Sequence, residues 1–259
     1  KDGAYNTATF TTNANGTFLN GGTLVMSGTG TVQSSTTSFR NMEVSTSGTV
    51  FIIGTVPLLG TFTLTSGTLA MNSAASVLRV QGLSRFLGGT ITTAGNPTLD
   101  LDGDAQFLGT SVGTNPPLIR CAGNWTADAL TVQPTSGTVF LDGAGTTTIN
   151  GVSGSPPDVK FWNVEVLNGT RQPGSNLTIT GSGMTIQPGG SFVTGGRNVV
   201  GGCKQFNVLG RMGVGAGSRL SLDDLSLINV PAGGTLSIVG APGSPATITE
   251  VGGPGYRVQ

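Results

Sequence analysis

A Gly-Thr pair followed by an apolar β-former recurs along this chain, at Gly16, Gly22, Gly30, Gly48, Gly54, Gly60, Gly67, Gly89, Gly137 and Gly234. Glycine permits the positive φ of a tight corner. The β-branched threonine then favours the extended backbone that leaves it. The segments between corners alternate. Gly60-Thr61-Phe62-Thr63-Leu64-Thr65 places Phe62 and Leu64 on one face and threonines on the other, and Asn176–Thr180 and Gly234–Ile238 repeat the pattern. Period-two runs bounded by Gly, Asn, Pro and Ser are strand-then-turn chemistry. No stretch of ten residues carries an i, i+3, i+4 apolar stripe, so the chain is read as all-β.

Composition limits what such a chain can do. Its 44 glycines in 259 residues are more than twice the usual share of about 7%. Disorder is excluded because 36% of residues are hydrophobic and alternate with hydroxyl residues. Only 9% are charged, and twelve basic residues balance twelve acidic ones. A neutral chain so poor in lysine has no footprint for nucleic acid. Neither a basic amphipathic stretch nor an apolar run of about 18 residues suggests membrane binding or insertion. Lysine at position 1, with no leader, reads as a processed product or a piece of a longer chain.

The chain repeats itself. GTLVMSGTGTVQ at 22–33 aligns with GTVFLDGAGTTT at 137–148, an offset of 115 (137 minus 22). FRNMEV at 39–44 matches FWNVEV at 161–166, an offset of 122 (161 minus 39). FTLTSGTLAM at 62–71 lies over LTITGSGMTI at 177–186, where the offset returns to 115 (177 minus 62). These matches define two divergent copies of a unit of roughly 115 residues, about 9–112 and 124–240, within one domain over 1–259. Strands this closely spaced, with short corners, predict a right-handed parallel β-helix. At about 20–22 residues per coil it has roughly a dozen coils. A pair of sandwiches, one per copy, is the competing architecture.

The segment GNWTADALTVQPTSGTVFLDGAGTTTING, with FWNVEVLNG after it, resembles tandem modules of large bacterial surface and secreted proteins. GGTLSIVGAPGSPATITEVGG at 233–253 is similar to a segment common in bacterial right-handed parallel β-helix proteins. The resemblance covers most of residues 60–253. It implies a β-solenoid and an extracellular or cell-surface location, and it brings no catalytic residue.

Five features are candidate sites. Gly143-Ala144-Gly145 follows a strand, as phosphate loops do, but lacks the third glycine, the helix and the lysine that such loops need. It reads as a corner. Asp100, Asp102 and Asp104 have the spacing of a calcium loop, yet position 12 of that count is Ser111, where a bidentate glutamate belongs. The preferred reading has Leu99 and Leu101 pointing inward and the aspartates outward. Asp223-Asp224 is read as a turn; with no histidine in the chain, glycoside chemistry is the lesser alternative. Thr-x-Thr runs begin at Thr7, Thr9, Thr29, Thr61, Thr63, Thr90, Thr146, Thr178 and Thr247. Their gaps argue against an ice-binding array. Trp162 alternates with Val164 and Val166 and is assigned to the core, although its repeat partner is Arg40. Trp125 aligns with Phe10, which also suggests burial.

The cysteines Cys121 and Cys203 lie 82 residues apart (203 minus 121), about four coils or roughly 19 Å. A disulfide needs Cα atoms within about 7 Å, so none is expected. The sequons at Asn15, Asn124, Asn168 and Asn176 are what chance supplies in so Asn- and Thr-rich a chain. No cofactor, metal ligand set or catalytic residue is assigned. The expected role is structural: a stalk, adhesin spacer or fibre subunit, with self-association or chain continuation through the solenoid ends. A carbohydrate-binding or carbohydrate-active β-helix, with surface glycans as partners, is the alternative.

Overall fold

The computed structural model describes residues 5–6, 9–11, 22–34, 38–113, 115–128, 136–152, 158–202, 205–223, 226–251 and 257–258. At 5–6, 9–11, 250–251 and 257–258 only the backbone is described. No helix occurs among the described residues. The chain divides into two compact units, 1–123 and 124–259, and each is a parallel β-solenoid.

In the first unit each coil carries three short strand segments. One coil runs through Thr55–Leu58 and both halves of Phe62–Met71. The next has Val77–Val80, Ser84–Phe86 and Thr90–Thr93, and the next Thr98–Leu101, Ala105–Phe107 and Ser111–Val112. Successive first strands begin at 55, 77, 98 and 118, an advance of 22, 21 and 20 residues. That matches the predicted period. Among the described residues there are about nine turns, fewer than the dozen expected. Part of the difference is chain spent on longer turns, such as the 28 residues from Arg219 to Thr247 (247 minus 219).

Within each unit the strand pairings described are parallel and join one coil to the next. Backbone bonds therefore span about one coil, as in Gln81 N–H to Leu58 O at 2.9 Å and Asp102 N–H to Val80 O at 2.8 Å. Because side chains alternate along a strand, in-register stacking makes continuous inward rows. Val56, Leu78, Leu99 and Ile119 form one such row, and Leu58, Val80, Leu101 and Cys121 another. On the next face Val44, Leu64, Phe86 and Phe107 stack, with the Phe86 and Phe107 rings 4.3 Å apart and nearly parallel. Val50, Leu69 and Ile91 close the triangle. All are buried. Each such side chain stabilises the unit by roughly 1.5–3 kcal/mol, and that holds the coils closed.

The second unit repeats this plan. Its inward rows are Val159, Leu177, Val199 and Leu220; Val164, Met184, Phe206 and Ile228; and Arg171, Phe192, Met212 and Leu236. Corresponding ladders fix which residues are equivalent. Met42 pairs with Phe62 and Val164 with Met184, so both positions are displaced by 122 (164 minus 42; 184 minus 62). The offset does not return to 115. FTLT at 62–65 corresponds to MTIQ at 184–187, and LTIT at 177–180 belongs to the preceding face. Many strands share the alternation that the string match relied on. Only hydrogen-bond register separates them.

The glycine-rich corner shifts similarly. Gly30 pairs with Val50, whereas Thr147 pairs with Arg171. Thr29 and Thr146 are therefore equivalent, and Gly145 corresponds to Gly28. A Cβ at either glycine would meet nothing within 4 Å. The corner of the second unit is two residues longer, between Leu141 and Thr146 rather than Met26 and Thr29.

Candidate functional site

Outward residues of the second unit form a grid. Its first row is Thr138, Asn163, Gly183, Gln205 and Leu227. Two residues further along each strand comes Phe140, Glu165, Thr185, Asn207 and Asn229. Neighbouring coils lie about 4.8 Å apart. Between these rows runs a groove of about 220 Å³.

Local sequence explains the groove. Asn163 Oδ1 accepts from Ser182 N–H at 2.7 Å, from Ser182 Oγ–H at 3.0 Å and from Gly183 N–H at 3.0 Å. In the first unit Asn41 Oδ1 holds Thr61 in the same way, through its N–H at 2.9 Å. The second unit has one more residue here: Gly183 stands between Ser182 and Met184, where Thr61 leads directly into Phe62. A Cβ at Gly183 would lie 2.3 Å from Gln205 O, so only glycine fits and the floor of the groove stays open.

The walls hold each other. Gln205 Nε2–H donates to Asn207 Oδ1 at 2.7 Å, and Asn229 Nδ2–H donates to the same oxygen at 3.3 Å. Gln187 Nε2–H donates to Glu165 Oε1. Asn163 Nδ2, Glu165 Oε2, Thr185 Oγ1, Gln205 Oε1 and Asn207 Nδ2 make no hydrogen bond to the protein among the described residues. Among the described residues Glu165 is the one carboxylate in the lining, and no arginine or lysine lines it. The groove therefore offers a mixed set of neutral donors and acceptors.

The residues singled out from sequence lie elsewhere. The Gly143–Gly145 corner turns its carbonyls toward the next coil: Thr170 N–H donates to Gly145 O at 3.0 Å, and Arg171 Nη2–H to Gly143 O at 3.0 Å. A phosphate cradle needs N–H groups there. Leu99 and Leu101 are buried, and Asp100 and Asp102 face outward against Arg79, whose Nε is 3.6 Å from Asp100 Oδ2 and 2.9 Å from Asp102 Oδ2. The Asp102 hydrogen bond, then the charges of Asp102 and Asp100, raise the Arg79 pKa. In the ladder Asp100 lies between Arg79 and Arg120. Asp104 is exposed. The aspartates thus belong to a charged outer row, and no three-residue cluster of metal-ligating side chains occurs among the described residues.

Asp223 ends a strand at a turn closed by Ser226 N–H to Asp223 O at 3.1 Å; Asp224 lies outside the described residues. Cys121 is buried, with Gly123 O 3.6 Å from its sulfur; Cys203 lies outside the described residues. The Thr-x-Thr runs fall on different faces. Thr63 shares an outward row with Glu43 and Arg85, while Thr178 lies between Lys160 and Val200. Thr7 and the side chain of Thr9 lie outside the described residues. Asn124 and Asn176 brace neighbouring coils, Asn124 Oδ1 accepting from Thr148 N–H at 2.8 Å and Asn176 Oδ1 from Asn198 N–H at 3.1 Å. Asn168 is exposed, and Asn15 lies outside the described residues.

The tryptophans divide. Trp125 is buried against Phe161, ring centroids 5.4 Å apart. Trp162 is half-buried at the bend after Phe161 and is not a core residue. Phe161 points inward instead, as Phe39 does in the first unit. The alternation that placed Trp162 inside breaks at this corner, and its partner Arg40 was the correct guide. Sequence reasoning missed the groove and also missed Arg171. That side chain is buried at a position equivalent to Val50, with its guanidinium bonded to Thr147 Oγ1 and Gly143 O. The polar-x-polar triplets Asn163-Val164-Glu165 and Gln205-Phe206-Asn207, two coils apart, were the available signal for the groove.

The fold and surface define the chain as a parallel β-solenoid protein with a polar outer groove. No family model, curated protein or solved structure matches it.

Proposed function

We propose that this protein is a non-catalytic structural solenoid of extracellular or cell-surface material, serving as a stalk, adhesin spacer or fibre subunit. The observation that carries this reading is the last described coil edge of the second unit. The inward rows through Met212 and Val214 continue onto Leu236 and Ile238 of the strand Thr235–Ile238. Exposure rises from 1% at Val214 to 49% at Ile238 and 62% at Val239. Among the described residues no strand pairs with the far edge of Thr235–Ile238. An open edge with apolar side chains invites another strand. Stacking a further coil there, from a second copy or from continued chain, would extend the ladder. A low-charge, hydroxyl-rich surface and the resemblance to bacterial surface modules also support the reading.

Sedimentation velocity across a range of concentrations tests it. Association is expected for the native chain and should be abolished by Ile238→Lys with Val239→Lys. A native chain that remains monomeric at every concentration overturns the self-association reading.

A further inference from the structure

We infer that the groove between the Asn163 and Glu165 rows of the second unit is a binding site for a neutral saccharide. Its chemistry excludes other ligand classes. Among the described residues no cation lines it, so a phosphate or other anion would meet Glu165 without a counter-charge. A hard divalent cation needs six to eight oxygens with several carboxylates, and the lining has one. Drug-like and lipid ligands need predominantly apolar walls, and here amides, hydroxyls and a carboxylate form them.

What remains is a ligand with many hydroxyls, each both donor and acceptor. The open groups suit it. Asn163 Nδ2 and Asn207 Nδ2 donate, Glu165 Oε2 and Gln205 Oε1 accept, and Thr185 Oγ1 does either. They are also pre-positioned. Asn163 is fixed by its three bonds to Ser182 and Gly183, Asn207 by Gln205 and Asn229, and Glu165 by Gln187. Little side-chain entropy is then lost on binding. Phe140, outward and half-buried, stands in register with Glu165 on the adjoining coil, beside the groove and outside its lining, where a ring extending beyond the groove would meet it. At about 220 Å³ the groove is below the roughly 300–1,000 Å³ of drug-sized pockets, which suits one or two sugar rings. With a single carboxylate among the described lining residues, the site is proposed to bind rather than cleave.

The first unit serves as an internal comparison. Its corresponding outward positions keep Asn41, Glu43 and Thr63 but carry Leu83 and Arg85 in place of Gln205 and Asn207, and Thr61 leads straight into the strand without the extra glycine. The open floor belongs to the second unit.

The test uses the full chain with cellobiose, lactose and N,N′-diacetylchitobiose as neutral probes and digalacturonate as the anionic probe. Saturation-transfer NMR detects contact, and titration calorimetry gives affinity. At least one neutral disaccharide is expected to bind at about millimolar Kd, with Glu165→Gln and Asn207→Ala each weakening it about tenfold or more. Both side chains lie on the outer surface, and thermal melts verify that the variants fold. Binding confined to digalacturonate, no binding of any neutral probe, or binding undiminished in both variants overturns the inference.

Discussion

Ser84 occupies an inward position of the first unit and is fully buried. It stacks between Phe62 and Ala105, with Phe86 two residues along the same strand. Its Oγ has no hydrogen-bond partner. Leaving a buried hydroxyl unbonded costs about 1–3 kcal/mol. Ser84→Ala removes that cost and vacates only the volume of one oxygen. The substitution should therefore stabilise the protein by about 1 kcal/mol. Ser76 supplies the matched control. It is equally buried, but its Oγ–H donates to Ile52 O at 2.9 Å. Ser76→Ala loses that bond and leaves a buried carbonyl short of a donor, so it should destabilise by about 1 kcal/mol or more. The same chemical change then has opposite signs at two sites in one unit. Urea unfolding followed by circular dichroism reads both as midpoint shifts at unchanged slope. If Ser84→Ala lowers the midpoint as Ser76→Ala does, the Ser84 hydroxyl has a partner and the reasoning fails. The equivalent position in the second unit is Phe206 (206 minus 84 is 122), buried between Met184 and Ile228. A hydroxyl is therefore not required there.

Two further predictions concern backbone and buried charge. Gly67 has φ of 83°, and a Cβ there would lie 2.6 Å from Thr46 O and 2.8 Å from Gly48 O, so Gly67→Ala should cost about 2 kcal/mol or more by urea unfolding. At Gly28, where nothing lies within 4 Å, alanine should be neutral or stabilise by up to about 1 kcal/mol; similar losses at both sites would refute this account of the corners. Arg171→Ala should cost about 3 kcal/mol or more, because it opens a cavity and removes the donor to Gly143 O. Arg171→Met, which preserves volume beside Phe192, should cost much less in the same assay, and equal losses would contradict that packing argument.

Much of the fold was legible because its causes are local. The alternation in Phe62–Thr65 and Asn176–Ile179 reports which side chains face inward, and Gly-Thr pairs such as Gly22-Thr23, Gly54-Thr55 and Gly89-Thr90 mark the start of a strand. Neither depends on distant residues. The outward placement of Asp100 and Asp102 followed from Leu99 and Leu101 by the same rule. The rule failed at Trp162, where the chain bends between two strands and alternation does not carry through. The groove was not legible. Its rows join residues about one coil apart in sequence, and its floor depends on the single inserted glycine at 183.

The sequence by itself determined strand identity, inward and outward faces, the advance of 20–22 residues per coil in the first unit, and the existence of two related copies. Those properties are written in the period of apolar residues. Only the tertiary structure decided register: that Phe62 corresponds to Met184, that Ser84 is buried without a bond, that Arg171 takes the place of Val50, and that Asn163, Glu165, Gln205 and Asn207 share one surface. The physical reason is that many short alternating strands fit one another almost equally well by pattern. The hydrogen-bond ladder between coils and the packing of the inward rows select one pairing among them.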